Sequence, residues 1–132
     1  MFSKATILVI DDEPIALKSC GRVLSEEGFR VQTVQTGSEG LQRLQREKFD
    51  MVLTDLKMLE INGMDILKTI MEFHPDVIVI VMTGYPTVHT AVEAMKLGAY
   101  DYISKPFTPE ELVQAVSKAL GKKKRDDLER EE

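Results

Sequence analysis

Five side chains in this sequence carry complementary chemistry, and each closes or follows a short apolar run. Asp11 and Asp12 end "ILVIDDEP", Asp55 ends "MVLTD", Thr83 ends "VIVIVMT", and Lys105 stands just behind "DYIS". With Glu13 next to the first pair, three carboxylates are adjacent in the chain. Like charges repel, and more strongly where water is scarce, so something must compensate them. A hard divalent cation with oxygen ligands suits crowded carboxylates, and Mg²⁺ typically keeps several waters and takes only a few of them. The ammonium of Lys105 would add a point charge suited to phosphate. The hydroxyl of Thr83 would donate to an oxygen. A carboxylate beside such a cation, an ammonium and a hydroxyl is equipped to accept a phosphoryl group. That transfer depends on positioning and charge neutralisation more than on covalent help from the protein.

Each residue alone has a plainer explanation. Asp12 before Pro14 could cap a helix, Asp55 could begin a turn, Thr83 before Gly84 could be turn chemistry, and Lys105 before Pro106 a solvated loop charge. The case for a site rests on where they fall together. Apolar runs at Ile7–Ile10, Met51–Leu53 and Val77–Met82 are continuous rather than alternating, as in strands covered on both faces. Weaker strands are expected at Arg30–Val34 and Tyr100–Ser104. Helical spacing lies between them: Ile15 to Glu27 with Leu17, Cys20, Val23 and Leu24, stopped by Gly28. Thr36 with Glu39 resembles a capping box. Asn62 and Thr87 are expected to cap two further helices. Thr108-Pro109-Glu110-Glu111 starts the last, which runs through Leu112, Val116 and Leu120 to Gly121. The order βαβαβαβαβα predicts an α/β fold with one parallel sheet, helices on both faces and right-handed crossovers. In such sheets ligands bind beyond the carboxyl ends of the strands. Four of five strand ends carry the residues above. Only the second, an expected edge strand, ends plainly in Gln35-Thr36.

A chain of 132 residues with 43% apolar and 30% charged residues matches one soluble domain that needs no disulfides or structural metal. The lone Cys20 reads as small helix packing. The opening MFSKATILVIDDE has too short an apolar run for a signal peptide, and no stretch is long enough for a membrane span, so the cytoplasm is the expected compartment. The net charge is −5, and residues 122–132 hold five basic and five acidic side chains. The body is therefore acidic, which argues against direct nucleic-acid binding by the domain itself. The expected division is a domain over residues 3–121 and a charged tail, or the start of a linker helix, over 122–132.

The pieces "LVIDDE", "VLTDLKM" with Gly63 eight residues past Asp55, "VIVMTGY" and "GAYDYISKPF" resemble, as a set, response-regulator receiver domains of two-component signalling. The resemblance covers about residues 4 to 121. It implies a flavodoxin-like receiver fold with strand order 2-1-3-4-5. It implies Asp55 as phosphoacceptor from a sensor histidine kinase. Mg²⁺ would be bound by Asp12, Asp55 and the backbone carbonyl of Lys57, with Asp11 acting through water. Thr83, Lys105 and the N–H groups of Leu56 and Gly84 would contact the phosphoryl oxygens. Tyr102 matches the switch aromatic: Thr83 moves towards the phosphoryl group, Tyr102 turns, and the surface of the fourth helix, fifth strand and fifth helix changes. The resemblance further implies a C-terminal output domain or an effector protein as partner, and a monomer or weak homodimer. "MTGYPTVHTAVEAMKLGAYDYISKPF" is similar to receivers of nitrogen-regulator-type transcription activators. One departure is Leu59, where the family usually has proline; it leaves that loop less stiff. Lys57 and Tyr85 sit where side chains control water access, and are expected to slow hydrolysis of the acyl phosphate. His74 and His89 are expected to be surface residues rather than phosphodonors.

Two other classes fit less well. A Mg²⁺-dependent phosphohydrolase with an aspartyl nucleophile would want an acid two residues past it and a cap segment; here that position is Lys57. A flavin or nucleotide binder would want a Gly- or Ser/Thr-rich first loop, and Asp11-Asp12-Glu13 would repel phosphate.

Overall fold

In a computed structural model describing residues 5–57, 62–84 and 86–131, with side chains as far as Lys122, strands and helices alternate along the chain. They are β1 (Thr6–Ile10), α1 (Pro14–Glu26), β2 (Arg30–Val34), α2 (Gly37–Arg46), β3 (Met51–Asp55), α3 (Gly63–Phe73), β4 (Ile78–Thr83), α4 (Val88–Lys96), β5 (Asp101–Ser104) and α5 (Pro109–Glu131). The strands form one sheet in the order β2-β1-β3-β4-β5, and every neighbouring pair is parallel. The winding reverses between β1 and β3, which pair directly, Ile10 opposite Thr54. The crevice beyond that reversal is where an open parallel sheet holds ligands. Asp11 and Asp55 flank it.

Alternate strand residues point to opposite faces, and both faces are apolar. Ile7, Val9, Met51, Leu53, Ile80 and Met82 pack with Leu17 and Leu24 of α1 and Leu112 and Val116 of α5. Leu8, Ile10, Val52, Val79 and Val81 pack with Leu44 of α2, Ile66 and Ile70 of α3 and Ala94 of α4. Burying each such side chain contributes about 2 kcal/mol. That fixes the strands in depth, and so fixes how far their last residues protrude.

The helix starts follow local chemistry. Thr36 accepts from the N–H of Glu39, and Asn62 from that of Met64. Thr108 and Glu111 cap each other: the Glu111 N–H donates to the Thr108 hydroxyl, and the Thr108 N–H to the Glu111 carboxylate. Thr87 caps α4 in a reciprocal box with Thr90, a hydroxyl in the place usually taken by an acid. α1 differs from one of the plain readings: its N-cap position is Glu13 rather than Asp12, and the Glu13 side chain makes no cap bond. Gly28 has φ 95° and Gly98 has φ 111°, left-handed conformations that glycine adopts without a Cβ penalty.

α5 does not stop at Gly121 but continues to Glu131, 23 residues in all. A single glycine costs a helix only about 1 kcal/mol, and the Lys, Arg, Glu and Leu that follow are strong helix formers. Residues 122–131 are thus helical rather than an irregular tail. Leu59 and Tyr85 lie outside the described residues. No helix among the described residues is long and apolar enough to cross a membrane.

Cys20 is buried against the α1 face of the sheet. Burial pushes its thiol up to about 11, with the nearby Asp11 charge adding to the rise. The folded protein should therefore resist alkylation at pH 8 until it unfolds. Above pH about 9 the unfolded thiol loses its proton first, so wild-type stability should fall relative to Cys20→Ala between pH 9 and pH 11. Urea melts of the two proteins at both pH values measure this. Parallel curves would contradict it.

Candidate functional site

The crevice at the end of the sheet is built by strand ends. β1 delivers Asp11, whose own N–H donates to the carbonyl of Val34 (3.2 Å). β3 delivers Asp55 as its last residue. β4 delivers Thr83, one step beyond the pairing of Asp55 with Met82. The backbone N–H of Lys105 donates to the carbonyl of Thr83 (2.7 Å), which ties the residue after β5 to the rim. The Lys105–Pro106 peptide is cis.

The three sequence-predicted charges from separate segments meet at one atom. Lys105 Nζ donates to Asp11 Oδ2 at 2.6 Å, to Asp55 Oδ2 at 2.8 Å and to Glu13 Oε1 at 3.3 Å. Asp11 and Asp55 are 1% and 5% exposed. Their second oxygens take backbone donors: the Glu13 N–H reaches Asp11 Oδ1 at 3.0 Å, and the Lys57 N–H reaches Asp55 Oδ1 at 3.0 Å. Each buried carboxylate is thus held by one backbone N–H and one ammonium N–H, which fixes its orientation. Burying an ion costs several kcal/mol, and only pairing with good geometry offsets that.

The acids remain crowded despite this. Asp11, Asp12 and Asp55 each bring a carboxylate oxygen within 4.8 Å of the others, and Asp12 is partly exposed on the rim. Burial raises the Asp11 pKa, with the Asp55 charge adding to the rise and Lys105 and the Glu13 N–H opposing it. For Lys105 burial acts to lower the pKa, but the hydrogen bonds and charges of Asp11 and Asp55 outweigh it. The net shift is upwards, so the ammonium stays charged at every working pH. Three hard oxygen donors around one partly open point are a donor set for a divalent cation such as Mg²⁺ or Ca²⁺.

Thr83 is buried at the end of β4. Lys57 lies two residues past Asp55 and is exposed. The N–H of Leu56 donates to the carbonyl of Met82 (3.0 Å), so it serves the sheet here rather than pointing free into the crevice. Tyr102 is half-buried on β5 opposite Val81. Its hydroxyl lies 2.7 Å from the Thr90 hydroxyl. His89 is exposed in the first turn of α4, and His74 closes α3. Sequence reasoning missed two participants. Glu13 was visible as the third acid of "DDE", but nothing local says that it reaches Lys105. Thr90 is one of two threonines in "PTVHT", and its link to Tyr102 exists only once α4 and β5 pack.

A sequence profile described as "Response regulator receiver domain" matches residues 7–117. The chain belongs to this family. The receiver domain is 39% identical over 116 residues to "Transcriptional regulatory protein GlrR" of Escherichia coli (strain K12), covering 88% of this chain and 26% of that protein. It spans about a quarter of the length of that relative. Its fold is similar to the crystal structure of a receiver domain protein (CheY-like) from Methanospirillum hungatei JF-1: TM-score 0.90, 29% identity, covering 93% of this chain and 98% of that one. A response regulator protein from Burkholderia pseudomallei, solved with a phosphorylated aspartic acid, a calcium ion and citrate, matches with TM-score 0.81 and 30% identity. That match covers 96% of this chain and 75% of the other. The receiver domain is thus a module of two-component response regulators.

Proposed function

We propose that Asp55 is the phosphoacceptor of this receiver domain, served by Mg²⁺ and by Lys105 and Thr83. The observation that carries this reading is the ammonium of Lys105 placed 2.8 Å from one Asp55 oxygen in a crevice crowded with two further acids. In the transfer, an Asp55 carboxylate oxygen attacks phosphorus and forms the O–P bond. The bond from phosphorus to the phosphohistidine nitrogen of a sensor kinase breaks, and its electron pair leaves with the imidazole. Asp12, Asp55 and the carbonyl of Lys57 would hold Mg²⁺, with Asp11 assisting, and the ion would supply positive charge to offset the acids and the transferred group. Lys105 directs an ammonium N–H at a phosphoryl oxygen. Thr83 donates its hydroxyl to a second oxygen. Tyr102 then leaves Thr90, and the surface formed by α4, β5 and α5 changes.

Residues 3–121 form the receiver unit in this reading. The helical extension over 122–131 begins a linker to a C-terminal output part, in keeping with the 26% share of GlrR that the chain spans. The partners are a sensor histidine kinase and that output part or a downstream effector, in the cytoplasm.

Incubation with acetyl phosphate and Mg²⁺ should add one phosphoryl group to the intact mass, and EDTA should prevent it. The same protein should leave a simple phosphomonoester unhydrolysed. An unchanged mass, or steady turnover of the monoester, would overturn the assignment. A second expectation concerns the cation alone. At tenfold excess over its Kd, Mg²⁺ should stabilise the domain by about 1.4 kcal/mol, or a Tm rise of about 5 °C for a domain of this size. Asp12→Ala should remove most of that rise. A full rise in the variant, measured by calorimetry, would place the cation elsewhere.

A further inference from the structure

Lys105 makes one contact more than the transfer chemistry calls for. An ammonium has three N–H donors, and all three are directed at carboxylates: Asp11 at 2.6 Å, Asp55 at 2.8 Å and Glu13 at 3.3 Å. The first two partners are buried. Glu13 is different: its side chain is 67% exposed and its contact is the longest. It stands on the open side of the ammonium, and its backbone N–H fixes it to Asp11. Its side chain caps nothing in α1.

From this arrangement we infer that Glu13 is a positioning residue that gates the access of anionic phosphodonors to Lys105 and Asp55. This rests on the phosphoacceptor reading of Asp55. An incoming phosphoryl group needs an N–H of Lys105. The bonds to Asp11 and Asp55 are short and sheltered from water, whereas an exposed pair of this kind is worth little and is screened by salt. Glu13 is therefore the partner that yields first. Until it does, its negative charge stands at the mouth of the crevice and opposes an approaching anion. The more negative the donor, the larger the opposition. Glu13 thus discriminates among donors by charge, and it slows phosphorylation by small anions relative to a protein donor that carries its own compensating positive groups. The bonds made and broken remain those of the transfer to Asp55; with acetyl phosphate the electron pair leaves with acetate.

The test compares wild type, Glu13→Gln and Glu13→Asp at saturating Mg²⁺. Acyl phosphate formation is followed with acetyl phosphate and with the less negatively charged phosphoramidate, at low and at high salt. Glu13→Gln should accelerate labelling by acetyl phosphate on the order of threefold to fivefold at low salt, and labelling by phosphoramidate clearly less. The gain should shrink near 1 M salt, where screening acts over about 3 Å. Glu13→Asp, which keeps the charge, should stay close to wild type. A merely structural role would change both donors equally and without regard to salt, and that result would overturn the inference. So would a rate in Glu13→Gln equal to or below wild type. If wild type itself takes no phosphoryl group from either donor, the phosphoacceptor reading fails instead, so the two failures are distinct.

Discussion

Asp55→Asn is expected to lower phosphoryl uptake from acetyl phosphate by on the order of 10³-fold or more, as the loss of a nucleophile does, with the domain still folded. The amide has nearly the size of the carboxylate, and its oxygen can still accept one of the two bonds now made by the Lys57 N–H and the Lys105 ammonium. It cannot form an acyl phosphate. One hydrogen bond and one charge pair are lost, but the repulsion among Asp11, Asp12 and Asp55 is relieved, so the two changes oppose each other in the cation-free domain. The Tm without Mg²⁺ should move by only a few degrees, while its response to Mg²⁺ should largely vanish. Intact-mass kinetics and thermal melts check both parts. Undiminished labelling of the variant would mean that another side chain accepts the group.

The second large effect is expected at a residue with no side chain. A Cβ on Gly63 would lie 2.5 Å from the carbonyl oxygen of Asp55 and from the Cα of Leu56. Those are backbone atoms that cannot rotate away, and the Gly63 N–H donates to the Leu56 carbonyl at 3.0 Å. The first residue of α3 thus rests directly on the end of β3. Gly63→Ala should destabilise the domain by about 3 kcal/mol through this clash. It should also slow phosphorylation, because relieving the clash moves the peptide that carries Asp55, and small misplacements of a reacting group are costly. Gly84→Ala is the control for stability, since a Cβ there meets nothing within 4 Å. It should change stability by no more than about 0.5 kcal/mol. Equal stability losses in urea melts of the two variants would show that close packing at Gly63 is not what matters.

These two residues mark what the sequence reveals and what it hides. Asp55 stands out because it ends an apolar strand, and the pattern of five such strands already places Asp11, Thr83 and Lys105 at the same end of a parallel sheet. Continuous apolar runs and capping residues such as Thr36 and Thr108 are local signals, so the element order follows from them. Distances across the sheet are not local. Lys105 meets Asp11 across 94 positions of sequence. Which of four acids it meets depends on strand register, which is set by packing on both faces. The hydroxyl contact between Thr90 and Tyr102 depends in the same way on how α4 lies against β5. Glu13 follows Asp11-Asp12 in plain view, yet its reach towards Lys105 depends on the chain turning into α1 at Pro14. The helix past Gly121 was hidden for the opposite reason: a glycine is a strong local stop signal, and here it is outweighed by the helix formers around it.

The position of the phosphoryl group decides whether Asp55 is the acceptor. Protein treated with acetyl phosphate and Mg²⁺ can be reduced with borohydride, which converts an aspartyl phosphate to homoserine, then digested with trypsin and mapped by mass. The change is expected at Asp55, in the peptide spanning residues 49–57. Reduction at Asp11 or Asp12, or a phosphoryl group found on His74 or His89 with Asp55 intact, would contradict it.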